Sequence, residues 1–253
     1  MTVRASRSLP ALLLAAMLLA AACSQGSRSS VRPTVRPSPP PVVYVALGAS
    51  ETAGIGTADP ARQSFPQVLY QSLPRSAVLY NLGLPGETTA AAIQDELPAA
   101  VSGRPSLATV WFNVDDMAAG VSAADYEARL DRIVGGLREA GTARVLIANT
   151  PRLDLLPVYL ACRPNPPAGA VKCPLGGDVV LPPPNELSAL VDAYNAAITR
   201  VAQRHGATVV DLAAQEATIA QHPEYVSSDG LHPSTQGAAA IAGAFADAMS
   251  RAP

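Results

Sequence analysis

Val42-Val43-Tyr44-Val45-Ala46-Leu47-Gly48-Ala49-Ser50-Glu51-Thr52-Ala53-Gly54-Ile55-Gly56 opens the folded part of a chain of 253 residues. Six strand-forming residues run into a Gly-Ala-Ser corner and then a glycine-rich loop, a pattern that brings a hydroxyl to the surface where a buried strand ends. Ser50 is therefore the candidate nucleophile.

Outward from this stretch, apolar strands alternate with amphipathic segments, which argues for a parallel sheet with helices on both faces, an α/β/α sandwich. Strands are predicted at Val42–Leu47, Ala77–Leu82, Ala108–Phe112, Arg144–Ala148 and Thr208–Leu212. Helices are predicted at Phe65–Leu73, Thr89–Val101, Ala123–Ala140, Glu186–His205 and Thr235–Ser250. In the third helix Tyr126, Leu130, Ile133, Val134 and Leu137 follow helical spacing, with Ser122 to cap it and Gly141 to stop it. Ligands of an open parallel sheet bind outside the carboxyl ends of its strands. Ser50, Gly86 and the segment Asn113–Asp116 each fall just past such an end.

A serine hydroxyl needs a base within hydrogen-bond reach and a third group to orient that base. Of the three histidines, His232 lies in Ser228-Asp229-Gly230-Leu231-His232-Pro233-Ser234, three residues after an aspartate. One turn of that spacing brings the Asp229 carboxylate and the His232 imidazole to the same side.

The pairing of a Gly-x-Ser block near the beginning with an Asp-x-x-His block near the end resembles the SGNH, or GDSL-type, esterase/lipase superfamily. The resemblance covers roughly Val42 to Arg251, with Ala49 in place of the usual aspartate of Gly-Asp-Ser. It implies a flavodoxin-like five-stranded parallel sheet and a serine hydrolase cleaving carboxylic esters through Ser50, His232 and Asp229, with no cofactor or metal. It also implies oxyanion donors: the Ser50 N–H, a glycine N–H after the second strand, and an asparagine amide after the third. Asn81-Leu82-Gly83-Leu84-Pro85-Gly86-Glu87-Thr88-Thr89 is similar to the second block and places Gly86 at the glycine donor.

The third block departs from the pattern. Aligned through Trp111 and the final acid, Trp111-Phe112-Asn113-Val114-Asp115-Asp116 puts Asp115 where the asparagine belongs. A carboxylate about 4 Å from a developing oxyanion would repel it by roughly 4 kcal/mol at an effective dielectric near 20. Three outcomes are open: Asp115 held protonated and donating, Asn113 reaching the site from two residues earlier, or a catalytically silent relative that binds an acylated or glycan ligand.

The remaining sequence bounds location and partners. Residues 1–22 carry Arg4 and Arg7 before an apolar run shorter than the ~20 residues that span a bilayer, so they read as an export signal. Leu19-Ala20-Ala21-Ala22-Cys23 resembles a bacterial lipobox, which implies lipidation of Cys23 and anchoring to the outer face of a membrane; an ordinary cleaved secretory signal is the alternative. Residues 23–41 are rich in Ser, Arg and Pro and read as a tether, and 42–253 as the hydrolase-like domain. With Cys23 set aside, Cys162 and Cys173 remain as a pair suited to a disulfide in an exported protein, a metal site being the rival. They fall in a proline-dense loop, Thr150–Pro184, whose Leu155–Pro184 portion is expected to form a stapled flap beside the pocket. The net charge of −2, with no basic patch, gives no sign of nucleic-acid binding. The expected partners are a small-molecule, lipid or glycan ester and the membrane, with the chain a monomer.

Overall fold

The computed structural model of the protein describes residues 41–251 apart from 142, 171, 176–180 and 216–220. The export segment, Cys23 and the tether as far as residue 40 lie outside the described residues. β1 (Val43–Gly48) leads into three short helices, α1 (Ser50–Ala53), α2 (Pro60–Gln63) and α3 (Phe65–Gln71). β2 (Val78–Asn81) precedes α4 (Thr89–Asp95) and α5 (Leu97–Ser102), and β3 (Leu107–Trp111) precedes α6 (Val114–Ala118) and α7 (Ala123–Glu139). β4 (Arg144–Ala148), α8 (Pro157–Cys162), α9 (Pro184–His205), β5 (Thr208–Val210) and α10 (Thr235–Ser250) follow.

Among the described residues the five strands form one sheet in the order β2-β1-β3-β4-β5, every pair parallel. Period-two alternation divides the side chains between two cores. Val45, Leu47, Val110 and Ile147 pack on one face with Tyr126, Leu130, Tyr194 and Ile198 of α7 and α9. Tyr44, Ala46, Leu146 and Val210 pack on the other with Phe65 and Leu69 of α3 and Phe245 of α10. Each Val, Leu, Ile or Phe among them contributes roughly 1.5–3 kcal/mol by burial. The layers are those of a three-layer α/β/α sandwich with a flavodoxin-like sheet.

The differences from the expected elements have local causes. The helix expected over Thr89–Val101 breaks into α4 and α5 because Pro98 has no N–H to donate to the preceding turn. β5 ends at Val210 because the N–H groups of Leu212 and Ala213 turn to the Asn149 side-chain oxygen, at 2.6 and 2.9 Å. Thr150–Pro184 is not irregular throughout: it holds a 3-10 turn, Leu153–Leu155, and α8, which starts on Pro157 where a missing N–H costs nothing. The Ser122 hydroxyl caps α7 by accepting the Asp125 N–H at 3.1 Å.

The order of strands reverses between β1 and β3, so the loops after these two strands part at their carboxyl ends and open a crevice. Tyr126 fixes the second of these loops, its hydroxyl donating to the carbonyl of Phe112 just before Asn113.

Candidate active site

Gly48 ends β1 at φ 155°, and a Cβ there would stand 2.1 Å from Thr52 Oγ1 and 2.6 Å from the Trp111 carbonyl oxygen. Only glycine lets the strand turn this tightly into α1 against its neighbour β3. The turn delivers Ser50 to the first position of α1, 9% exposed, and the Ser50 carbonyl accepts the N–H groups of Gly54 and Ile55 at 2.9 Å each.

At the other end of the domain, Asp229 organises its own loop. One carboxylate oxygen accepts the N–H groups of Leu231 and His232 at 2.8 and 2.9 Å, and the other lies 2.7 Å from His232 Nδ1. Partial burial alone would raise the Asp229 pKa, but the Leu231 N–H, the His232 ring and N–H, and the Ser227 hydroxyl outweigh it and hold the carboxyl down at about 2. An ionised Asp229 makes Nδ1 the protonated nitrogen of a neutral imidazole and leaves Nε2 with its lone pair free to act as a base.

Gly56 brings the two ends together. At φ 92° it packs so closely that a Cβ would lie 2.5 Å from the Pro233 carbonyl oxygen and 2.8 Å from His232 Cβ. The loop that leaves Ser50 therefore rests on the histidine's own backbone. His232 and Glu51, the residue after Ser50, line one pocket together with Asn113. The rest of its wall is largely apolar: Trp111, Val114, Leu153, Leu156, Leu212, Val226, Leu231 and Ile241.

The model of the GDSL-like lipase/acylhydrolase family matches residues 46–240. The chain belongs to that family.

Solved structures share the fold of this GDSL-like hydrolase at low sequence identity. TesA is 17% identical, with a TM-score of 0.61 over 82% of this chain and 98% of its own. The psychrotrophic esterase EstA from Pseudoalteromonas sp. is 15% identical, with a TM-score of 0.60 over 82% and 96%. A mutant of Axe2, an acetyl-xylooligosaccharide esterase from Geobacillus, is 16% identical, with a TM-score of 0.56 over 83% and 95%. No curated protein matches the chain.

The oxyanion candidates of this family member are placed unequally. Gly86 stands at an exposed turn with φ 81°, and its N–H makes no hydrogen bond among the described residues. Asn113 caps α6 with its side-chain oxygen on the Val114 N–H at 2.8 Å, while its Nδ2 is buried and unpartnered on the pocket wall. Its backbone, at φ −170° and ψ −56°, has left strand geometry. Asp115 is half-buried and does not line the pocket. Burial and the adjacent Asp116 push its carboxyl up, and His232 pulls it partly back. Asp116 is fully buried and anchors the block, accepting the Thr89 N–H at 2.9 Å and the Thr89 hydroxyl at 2.6 Å.

Cys162 and Cys173 are joined as a disulfide, with Cα atoms 4.7 Å apart. Of the flap expected over Leu155–Pro184, Leu156 lines the pocket, with Leu153 of the preceding turn beside it. One site residue is new to the sequence reading: Glu51, whose Oε2 accepts the Ser50 hydroxyl at 3.2 Å. Its only sequence signal is an acid directly after the corner serine, which carries no motif.

Proposed function

We propose that this GDSL-like hydrolase cleaves carboxylic acyl esters by a two-step serine mechanism outside the cytoplasm. The observation that carries the reading is one pocket in which an Asp229-oriented imidazole, an unpartnered Asn113 amide and an apolar wall converge beside the Ser50 corner. Ser50 Oγ attacks the ester carbonyl as His232 Nε2 takes its proton, and a tetrahedral intermediate forms. The imidazolium then protonates the departing alkoxide, leaving an acyl-enzyme that water opens by the same steps in reverse. Asn113 Nδ2, with the N–H groups of Ser50 and Gly86, receives the oxyanion, where preorganised donors contribute most to rate. The apolar wall suits the acyl chain.

The export-like sequence of residues 1–22, the lipobox-like segment before Cys23 and the Cys162–Cys173 disulfide support a lipoprotein held on the outer side of a membrane, the disulfide being at home in an oxidising compartment. A second reading, an acyl-ligand binding module without turnover, is favoured by one observation: the Ser50 hydroxyl donates to Glu51 and makes no hydrogen bond to His232 among the described residues.

The deciding experiment combines hydrolysis of short and medium chromogenic esters with fluorophosphonate labelling of the purified protein. Wild type is expected to turn over esters and to be labelled at Ser50, and Ser50→Ala to do neither. Tight binding of a fatty acid without turnover or labelling would favour the binding module.

A further inference from the structure

The hydroxyl of Ser50 is engaged by an acid where a serine hydrolase needs the imidazole base. It donates to Glu51 Oε2 at 3.2 Å, while Nε2 of His232 has no hydrogen-bond partner among the described residues. Glu51 and His232 share one pocket, so the base and the carboxyl that holds the hydroxyl face the same space. Among the described residues lining that pocket none is arginine or lysine, which leaves Glu51 without a basic partner of the usual kind. The ionisable groups that act on it are His232, from the loop before α10, and Asp115, from α6.

We propose that Glu51 is a positioning residue that competes with His232 for the Ser50 hydroxyl, holding it back when ionised and releasing it when neutral. The inference deepens the serine-hydrolase reading and rests on it for the role of His232. A carboxylate accepts a hydrogen bond about twice as strongly as a neutral carboxyl group. Taking up one proton from solvent forms the carboxyl O–H bond of Glu51, weakens its hold on the Ser50 hydroxyl and frees that hydroxyl to rotate toward the Nε2 lone pair; no other covalent bond changes. Burial pushes the Glu51 carboxyl up and Asp115 adds to it, while its own backbone N–H, His232 and the Ser50 hydroxyl pull it back, and the net direction is upward. The switch therefore lies on the neutral side of the ordinary glutamate range. Activity then needs Glu51 neutral, so its ionisation lowers activity toward the alkaline side.

The test reads nucleophilicity separately from turnover. The second-order rate of fluorophosphonate labelling at Ser50 is measured from pH 5 to 9 for the full-length wild type and for Glu51→Gln, which keeps the shape and removes the charge. Wild type is expected to lose labelling rate toward alkaline pH as Glu51 ionises, whereas the Gln variant shows no such fall. At pH 9 the variant should be labelled roughly five- to tenfold faster, the ratio that separates a charged from a neutral hydrogen bond. Parallel profiles, or slower labelling of the variant at alkaline pH, would overturn the assignment of Glu51 and leave the hydrolase intact. Divergent profiles without ester turnover by either protein would uphold the role of Glu51 and remove the hydrolase reading.

Discussion

The N–H of Val158 donates to the carbonyl oxygen of Gly230 at 3.1 Å, tying the first turn of α8 to the loop that carries Asp229 and His232. Gly230 is at φ 75°, and a Cβ there would sit 3.0 Å from the Val158 nitrogen, so flap and loop are in close contact. Leu153, Leu156 and Val158 share an apolar cluster with Val226 and Leu231 on either side of Asp229. The flap is thus a wall of the pocket and a brace for the histidine at once.

That double role makes the disulfide testable. Cys162 and Cys173 are eleven residues apart, and a loop of that size confers about 3 kcal/mol in the chain-entropy account. Replacing both cysteines by serine is expected to lower stability by up to that amount in urea unfolding. If Leu153 and Leu156 form the acyl wall, it should also raise KM for octanoyl esters several-fold while leaving acetyl esters unchanged. An equal change for both esters would take the flap out of the acyl wall.

Asn113 and Asp115 make opposite predictions. With its Nδ2 buried and unpartnered at the pocket, Asn113→Ala should lower kcat by about 10²–10³ with little change in KM. Asp115→Asn, off the pocket wall, should stay within a few-fold of wild type. Steady-state kinetics of the two variants separate them. A sharp gain for Asp115→Asn beside a neutral Asn113→Ala would place the donor at 115.

The Asp229 carboxyl links the proposed triad to acid stability. Its folded pKa of about 2 lies below the ordinary aspartate value, so its bonds stabilise the fold fully above that value and are lost as pH falls through about 2. Asp229→Asn should therefore flatten the acid limb of the stability curve below pH 4. It should also cost activity about 10³–10⁴-fold at neutral pH, since an amide facing Nδ1 favours the wrong tautomer. Unfolding titrations from pH 2 to 5 and esterase rates check the two halves independently.

The sheet was legible because each of its strands is an apolar run, and the triad candidates because Gly-Ala-Ser and Asp-x-x-His are local patterns. α8 was not, since six residues between prolines and a cysteine pair give no helical period to count. The place of Asn113 was left open because it depends on where β3 lets go, which is set by Tyr126 reaching back from α7 to the Phe112 carbonyl. Glu51 was invisible for a related reason: its meaning comes from His232 and Asp115, far away in sequence.

Behind the nucleophile corner, Glu96 offers the last prediction. Its side chain is buried, with Oε2 accepting the Gly48 N–H at 2.9 Å and Oε1 unpartnered. Burial pushes its pKa up to about 9, with Glu87 and Asp95 adding to the rise and the Gly48 N–H opposing it. The folded state thus keeps a proton that the unfolded chain releases above its ordinary pKa near 4.5. Stability from this group is greatest below that value and falls by up to about 1.4 kcal/mol for each pH unit until pH reaches about 9. Glu96→Gln keeps an oxygen for the Gly48 N–H and cannot ionise. The variant is therefore expected to lose this slope and to gain on wild type steadily from pH 5 to 9, by a few kcal/mol at the upper end. Urea unfolding at five pH values measures the difference. A constant offset between the two proteins would mean that Glu96 releases its proton in the folded state as readily as in the unfolded one, and would refute the role of its burial.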